Sequence, residues 1–274
     1  MKEKVKEFDK YVPKVHFELI PIKNLVSNQK YQRGLSTFHI QRTAANFDVR
    51  QVNLVKVSRR NGVNYVINGQ HTVEVIAAVS GSRNTPVWCM IYDDLDYTQE
   101  ANVFANQQKY VKPLKPYEVF MANVEADNDE QIVILNMVEF YNLRITPQKA
   151  LGGICAISTL EHIYRNHGVR VLDRVLRLCV GTWEGETDFL SANILRGITR
   201  LVVAFGDDLQ DDRFKEKVGS HPVRIISRAA KERNAGTRGY AEAMLDIYNT
   251  RLNPRLNSSR LYATTPVSFQ REGG

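Results

Sequence analysis

The sequence predicts an α+β fold: a small mixed α/β domain over residues 1–112, followed by an all-helical domain over residues 113–252. In the first part of the chain, short segments of alternating apolar residues, typical of strands, are interspersed with helical spacing. From Pro116 onward, apolar residues recur three and four positions apart, as on one face of a helix. This periodicity is lost after Asn253, so residues 253–274 are predicted to form a flexible tail.

Strands and helices alternate in the α/β domain. Ser36 suits the N-cap of a helix that runs to Phe47, and Gly81 suits the C-cap of the helix that follows Gly69. A short helix is predicted over residues 101–108, and Arg60-Asn61-Gly62 is typical of a hairpin turn. The predicted strands are residues 15–22, 52–58, 63–67 and 86–92, and the apolar residues expected to face the core from the Gly69 helix are Val73, Val75, Ile76 and Val79.

In the helical domain, Pro116 suits the first turn of a helix. The apolar stripes that follow are interpreted as core packing, and Gly168 is predicted to end one helix before the next begins. The predicted helices include residues 132–140, 154–163, 171–179, 194–205, 223–233 and 240–251.

The composition, 43% hydrophobic and 24% charged, is that of a soluble globular protein. No apolar run approaches the length needed to cross a bilayer. Residues 1–7 are charged and lack the apolar core of a signal peptide. We therefore expect a cytoplasmic protein with no membrane partner.

Charge and cysteine content narrow the possible partners. The formal net charge of +7 favours an anionic partner such as nucleic acid without establishing one. Cys89, Cys155 and Cys179 lie in apolar runs, and no pair has the close spacing of a zinc or redox motif, so all three are predicted to be buried and reduced. The sequence contains no P-loop, dinucleotide fingerprint or metal-ligand cluster.

Three polar clusters stand at element boundaries of the α/β domain. Residues 31–34 precede the Ser36 helix, residues 68–72 join a strand to a helix, and residues 106–109 lead into the run Leu-Lys-Pro-Tyr-Glu at 114–118. The junction at Gly69 places backbone N–H groups and the positive end of a helix at one point, where a phosphate binds readily. We expect the three clusters to converge on one anion pocket.

In this order the clusters resemble the N-terminal domain of the ParB/sulfiredoxin superfamily. The Gln-Arg box of that superfamily corresponds to Gln32-Arg33, and its Gly-Glu-Arg-Arg box corresponds to residues 69–72. Its Asn-x-x-Arg box corresponds to residues 106–109, and the Leu-x-Pro-x-Glu sequence that follows corresponds to residues 114–118. A sub-branch with Asp-Gly-Gln-His-Arg in the middle box is closer still, and suggests a phage or other mobile element as the source. The resemblance covers about the first 120 residues and implies a ParB/sulfiredoxin-like fold there.

What the resemblance implies is a phosphate-binding cleft in a nucleotide- or DNA-handling protein. Members bind CTP or ATP, act as DNA clamps, or are described as nucleases, so both nucleotides stay open as ligands and a homodimer stays open as the assembly. By correspondence, Arg33 and Lys109 would pair with phosphate oxygens, while Gln70 and Asn106 would read a base or sugar edge. The full set of implied contact residues is Gln32, Arg33, Gly69, Gln70, His71, Thr72, Asn106, Gln108 and Lys109.

The sequence also departs from the superfamily pattern. His71 and Thr72 replace the two arginines of the middle box, which weakens the case for a triphosphate clamp. Ala105 stands where an acidic residue commonly precedes the third-box asparagine, which disfavours metal-assisted hydrolysis. Gln70 lies near the position of the sulfiredoxin cysteine, so redox repair is set aside.

His71 leaves three functions open. The helix end disfavours a protonated imidazole, which leaves a neutral hydrogen-bonding group, a general base or a purely structural residue. The leading hypothesis is a nucleotide- or nucleic-acid-binding protein that serves as a DNA-associated regulatory or accessory factor. The alternatives are a nuclease or nucleotidase with His71 as the catalytic base, and a protein-interaction factor with a vestigial cleft.

A second candidate surface lies in the helical domain. Basic residues accumulate around the helix at 223–233, where they suit a stripe that contacts a nucleic-acid backbone. A solvated charged helix face is the alternative interpretation. The residues predicted to contact DNA are Arg224, Arg228, Lys231 and Arg233.

Overall fold

The computed structural model describes residues 11–27, 32, 34–93, 95–110, 112–233 and 236–262. The chain divides into two compact units, residues 1–112 and residues 113–274, each with its own hydrophobic core. The first unit combines a mixed β-sheet with helices, and the second is mostly helical. The α+β class predicted from the sequence is confirmed.

The first unit is built on a five-stranded sheet in the order β1-β5-β3-β4-β2. The pairs β1/β5 and β3/β4 are antiparallel, whereas β3/β5 and β2/β4 are parallel. The strand β2 was not predicted as a separate element, and β3 begins three residues later than expected. The strands are β1 (His16–Pro21), β2 (Leu25–Ser27), β3 (Val55–Arg60), β4 (Val63–Asn68) and β5 (Pro86–Tyr92).

Three α-helices accompany the described part of this sheet: α1 (Thr37–Ala45), α2 (Gln70–Ser80) and α3 (Tyr97–Lys109). The hydroxyl of Ser36 accepts a hydrogen bond from the backbone N–H of His39, as expected of an N-cap. The helix α2 contributes Val73 to the core, with Ile76 packed against it. Val79 was expected to face inward as well, but it is 45% exposed, so that prediction is wrong.

The hairpin between β3 and β4 sets up the end of β4. Asn61 and Gly62 have φ values of 51° and 75°, the left-handed pair that a two-residue hairpin turn requires. Val57 pairs with Val66 but Lys56 pairs with Asn68, so Ile67 is an extra residue in β4, a β-bulge. The bulge places Asn68 on the same face as Lys56, where its side-chain Nδ2 donates to Oε1 of Gln107 in α3, at 3.2 Å.

The helix α3 begins four residues before the predicted start, because Asp96 and Gln99 form a reciprocal capping box. It is attached to β3 by a buried ion pair. The carboxylate of Glu100 has no exposed surface and lies 3.0 Å from Nε of Arg60. The same guanidinium lies over the ring of Tyr65, 4.5 Å from its centre. This polar contact fixes α3 on the sheet.

The second unit is a helical assembly with one short β-ladder. The strands β6 (Arg144–Ile145) and β7 (Gly153–Ile154) pair in parallel, so the assignment of Ile154 to a helix was wrong. Gly168, with φ 79°, interrupts α6 at the point where the sequence predicted a helix end. The helices are α4 (Pro116–Glu125), α5 (Asp129–Phe140), α6 (Ile157–Trp183), α7 (Ala192–Phe205), α8 (Asp211–Gly219), α9 (Val223–Arg233) and α10 (Thr237–Tyr248).

The segment after Asn253, expected to be a flexible tail, packs on this unit as far as Tyr262. Leu261 is 2% exposed, and its carbonyl accepts a 2.9 Å hydrogen bond from Nε of Arg200. Asn249 holds the backbone of Leu256 through its side-chain amide. Residues 263–274 lie outside the described residues.

The three thiols differ in their environments. Cys89 and Cys179 are buried and reduced as predicted, but Cys155 is exposed, which corrects the prediction for that residue. Burial raises the pKa of the Cys89 thiol to about 11 and raises that of Cys179 as well. No helix in the described residues is both long enough and apolar enough to span a bilayer.

Candidate functional site

A cavity of 420 Å³ lies where β4 passes into α2. Its wall combines the predicted strand–helix junction with residues from the segment before α1, from α1 itself and from α3. The lining residues are Gln32, Gly34, Ser36, His39, Ile67, Asn68, Gly69, Gln70, His71, Thr72 and Phe104.

Gly69 determines the backbone geometry where β4 passes into α2. It is the N-cap of α2 and has φ 101°, a conformation that L side chains rarely adopt. A Cβ at this position would lie 3.2 Å from Cα of Val55. The first hydrogen bond of the helix runs from the N–H of Val73 to the carbonyl of Gly69, so the ladder of α2 does not use the N–H groups of residues 70–72. The positive end of α2 therefore faces this cavity.

Gln32, from the first predicted cluster, is held against the end of β4. The side chain is 8% exposed, and its Nε2 donates to the backbone carbonyl of Val66. This bond fixes the orientation of the amide. The other amide atom, Oε1, is buried and has no hydrogen-bond partner among the described residues. A buried acceptor in that state costs about 1–3 kcal/mol.

His71 links α2 to the start of α1. Its Nε2 lies 3.3 Å from the backbone nitrogen of Ser36 and accepts that N–H. The imidazole also meets the ring of His39 edge-on, with centroids 5.3 Å apart. Because Nε2 accepts a hydrogen bond in this arrangement, it carries no proton, and its lone pair is already engaged. Action as a general base through this atom requires the bond to Ser36 to break.

The residues of the third predicted cluster that were expected to contact a ligand do not line the cavity. Asn106 and Lys109 are exposed and do not line it, and Nζ of Lys109 lies 5.4 Å from the ring centre of Tyr110. The helix α3 contributes Phe104 instead. Arg33 lies outside the described residues, as does the side chain of Gln108. The structure thus brings together Gln32 and residues 69–72, joined by Ser36, His39 and Phe104, which the sequence analysis missed.

The described wall of the cavity carries polar side chains but no lysine, arginine, aspartate or glutamate. Within the described wall, attraction for an anion therefore comes from the positive end of α2. Across the residues that the structure describes, no group of three His, Cys, Asp or Glu side chains is placed to hold a metal ion.

The basic stripe on α9 is only partly available. Arg224, Arg228 and Lys231 are exposed, and their spacing of four and three residues puts them on one helix face. Arg228 pairs with Glu232 at 3.1 Å, and Arg233 pairs with Asp246 at 2.8 Å. Within the described part of the chain, Arg224 and Lys231 have no ion-pair partner.

A sequence model of one protein family, described as "Family of unknown function (DUF6551)", matches residues 26–261. The chain belongs to the DUF6551 family. This DUF6551 chain is also similar to a crystal structure of C-terminally truncated ParB from Caulobacter crescentus with CTP-γ-S, at 12% identity and a TM-score of 0.36, covering 85% of this chain and 98% of that chain. A structure of truncated Caulobacter crescentus ParB with the centromeric parS site gives 14% identity and a TM-score of 0.27, covering 78% and 99%. No curated protein matches the chain.

Proposed function

We propose that this DUF6551 chain binds a nucleotide or nucleic-acid phosphate in the Gly69 cavity and acts as a DNA-associated regulatory or accessory factor. The observation that carries the proposal is the cavity at the N-terminus of α2, whose wall includes Gly69 and residues 70–72. Backbone N–H groups and the helix dipole favour an anion at such a point. Gln32 supplies a second, buried polar group in the same wall.

The resemblance to the ParB/sulfiredoxin superfamily supports the same assignment. Its first two boxes correspond to Gln32 and residues 69–72, which line one cavity. Members of that superfamily bind CTP or ATP, so these two nucleotides are the ligands to test. The same resemblance supports a cytoplasmic protein of phage or mobile-element origin and leaves a homodimer open as the assembly.

The nucleotide site is tested with the double variant Gln70→Ala/His71→Ala. We expect CTP or ATP to raise the melting temperature of the wild-type chain, and the double variant to bind the same nucleotide about tenfold more weakly, because two polar contacts are removed. Isothermal titration calorimetry gives the affinities, and circular dichroism checks that the variant is folded.

The matched control is Asn106→Ala/Lys109→Ala, which removes two residues of the third box. Because both lie outside the cavity wall, we expect this control to bind like the wild type. Equal affinity in the wild type and in the Gln70/His71 variant would refute the site.

Hydrolysis of nucleotide or plasmid DNA, with or without magnesium, that is lost in His71→Ala would indicate an enzyme instead. A folded chain that binds neither nucleotide nor DNA would indicate a vestigial cleft.

DNA contact through α9 is tested by charge reversal at Arg224 and Lys231. A protein that neutralises phosphates releases counterions, so its affinity falls with salt in proportion to the number of contacts. We expect Arg224→Glu/Lys231→Glu to weaken DNA binding and to reduce the slope of log affinity against log salt by about 2. Fluorescence anisotropy with a labelled duplex measures both quantities.

Arg233→Gln on the same helix is the control, because Asp246 already engages Arg233 at 2.8 Å. We expect this variant to leave the slope close to its wild-type value. A wild-type slope retained in the double charge reversal would remove α9 from the DNA-binding surface without affecting the nucleotide site.

A further inference from the structure

The start of α9 is held by side chains from the end of α6 and from the residues just after it. Oε2 of Glu186 accepts a 2.8 Å hydrogen bond from the backbone N–H of Val223, the first residue of α9. Two residues earlier, the carbonyl of His221 accepts a 2.9 Å hydrogen bond from the indole N–H of Trp183. The turn between α8 and α9 is therefore anchored by residues 183–186, which are distant from it in the chain.

The bond from Glu186 satisfies a group that the helix itself leaves unused. The N–H groups in the first turn of a helix have no intrahelical partner, and a carboxylate is favoured at that positive end. The backbone of the turn is also packed closely against α6, because a Cβ on Gly219 would lie 3.2 Å from the carbonyl oxygen of Thr182. The position of the first turn of α9 is thus set by residues 182–186.

The far end of α9 is held separately, through Arg233 and Asp246 of α10, whose side chains form a 2.8 Å hydrogen bond. Of the basic residues proposed to contact DNA, Arg224 directly follows the residue that Glu186 caps. Lys231 lies seven positions further on, about 10 Å along the helix. Loss of the Glu186 bond should therefore affect the placement of Arg224 far more than that of Lys231.

We infer that Glu186 is a positioning residue for the DNA contact, holding the first turn of α9 so that Arg224 meets a phosphate of the nucleic acid. The inference rests on the proposed contact of α9 with DNA and does not involve the nucleotide site. Glu186 itself is anionic and does not bind phosphate. It acts through the backbone N–H of Val223.

The variants Glu186→Ala and Glu186→Gln separate the hydrogen bond from the charge. Both remove the carboxylate charge, but only glutamine keeps an acceptor oxygen at that position. We expect Glu186→Ala to bind a labelled duplex about three- to tenfold more weakly than Glu186→Gln, which corresponds to the loss of a helix cap. The slope of log affinity against log salt should fall by about 1. Fluorescence anisotropy measures both quantities on the full-length chain, and circular dichroism checks the fold.

A double-mutant cycle tests whether Glu186 acts through Arg224. We expect Glu186→Ala to cause no further loss of affinity in an Arg224→Gln background, and its full loss in a Lys231→Gln background. A general loosening of the second unit would instead weaken binding equally in both backgrounds. Glu184→Ala is the matched control, because Glu184 is an exposed carboxylate in the same segment. This control should not weaken DNA binding.

Equal affinities of Glu186→Ala and Glu186→Gln, or equal losses in the two backgrounds, would overturn the inference and leave α9 as the DNA-contacting helix. If Glu186→Ala does not fold, Glu186→Met replaces it, since methionine keeps the length of the side chain without a carboxylate. A wild-type chain that binds no DNA, or whose salt slope is unchanged by Arg224→Glu/Lys231→Glu, would refute the contact through α9 and this inference with it.

Discussion

Gly69→Ala is expected to destabilise the first unit by about 3 kcal/mol and to abolish nucleotide binding. The left-handed backbone alone costs a non-glycine residue about 1–2 kcal/mol, and the added Cβ would lie 3.2 Å from Cα and 3.3 Å from a methyl group of Val55. The backbone of Val55 belongs to a central strand and cannot move away without disturbing the sheet. Urea unfolding gives the change in stability, and calorimetry with CTP and ATP gives the binding.

Helix α2, which begins after Gly69, provides a matched control at its other end. Gly81 is the C-cap of α2 with φ 67°, and a Cβ there would meet nothing within 4 Å. Gly81→Ala should therefore cost about 1 kcal/mol, from backbone conformation alone, and should leave binding unchanged. If the two alanine variants lose equal stability, the contact with Val55 is not a determinant of the junction. If Gly69→Ala binds nucleotide like the wild type, the left-handed backbone at Gly69 is not needed for binding.

Glu100→Ala is expected to lower the free energy of unfolding of the first unit by about 3 kcal/mol. The carboxylate is fully buried and 3.0 Å from Nε of Arg60, so its removal leaves a guanidinium beneath α3 without its counter-charge. Breaking a buried pair costs about 3–5 kcal/mol, and the lower end applies because the Arg60 side chain is 29% exposed.

Hydrogen exchange shows which unit loses stability in Glu100→Ala. We expect the amides of α3 and β3 to exchange faster, while the helices of the second unit serve as an internal reference. The matched substitution is Glu74→Ala, which breaks the pair between Glu74 and Arg83, whose side chain is 52% exposed. Exposed pairs contribute at most about 1 kcal/mol, so this change should be small. Equal losses in the two variants would mean that burial of Glu100 adds nothing to stability.

The sequence was sufficient wherever a single residue decides local backbone geometry. Ser36 begins α1, Gly81 ends α2, Asn61-Gly62 forms the hairpin turn, and Gly69 joins β4 to α2, all as predicted. Each of these residues acts through its own φ angle or through a hydrogen bond within a few positions along the chain. Such effects do not depend on the remainder of the fold.

The sequence was insufficient where contacts between residues distant in the chain determine burial and side-chain orientation. A glutamate in the first turn of α3 is typical of an exposed position, but Glu100 is buried in an ion pair with Arg60 of β3. The rotation of α3 about its axis, which places Phe104 in the cavity wall and Lys109 outside it, is set by that same pairing and by the bond between Asn68 and Gln107. The β6–β7 ladder has two residues in each strand, too few for any periodicity to show.

The extra residue at Ile67 has a consequence for identifying relatives of this chain. With strict alternation after Val66, Asn68 would oppose Val55 and its side chain would turn away from α3. A related sequence of the same length in which the strand stayed regular through Ile67 could keep every letter of Asn-Gly-Gln-His and still present those groups to the wrong side. The bulge between Gly62 and Gly69 is therefore as diagnostic of a shared pocket as the motif that follows it.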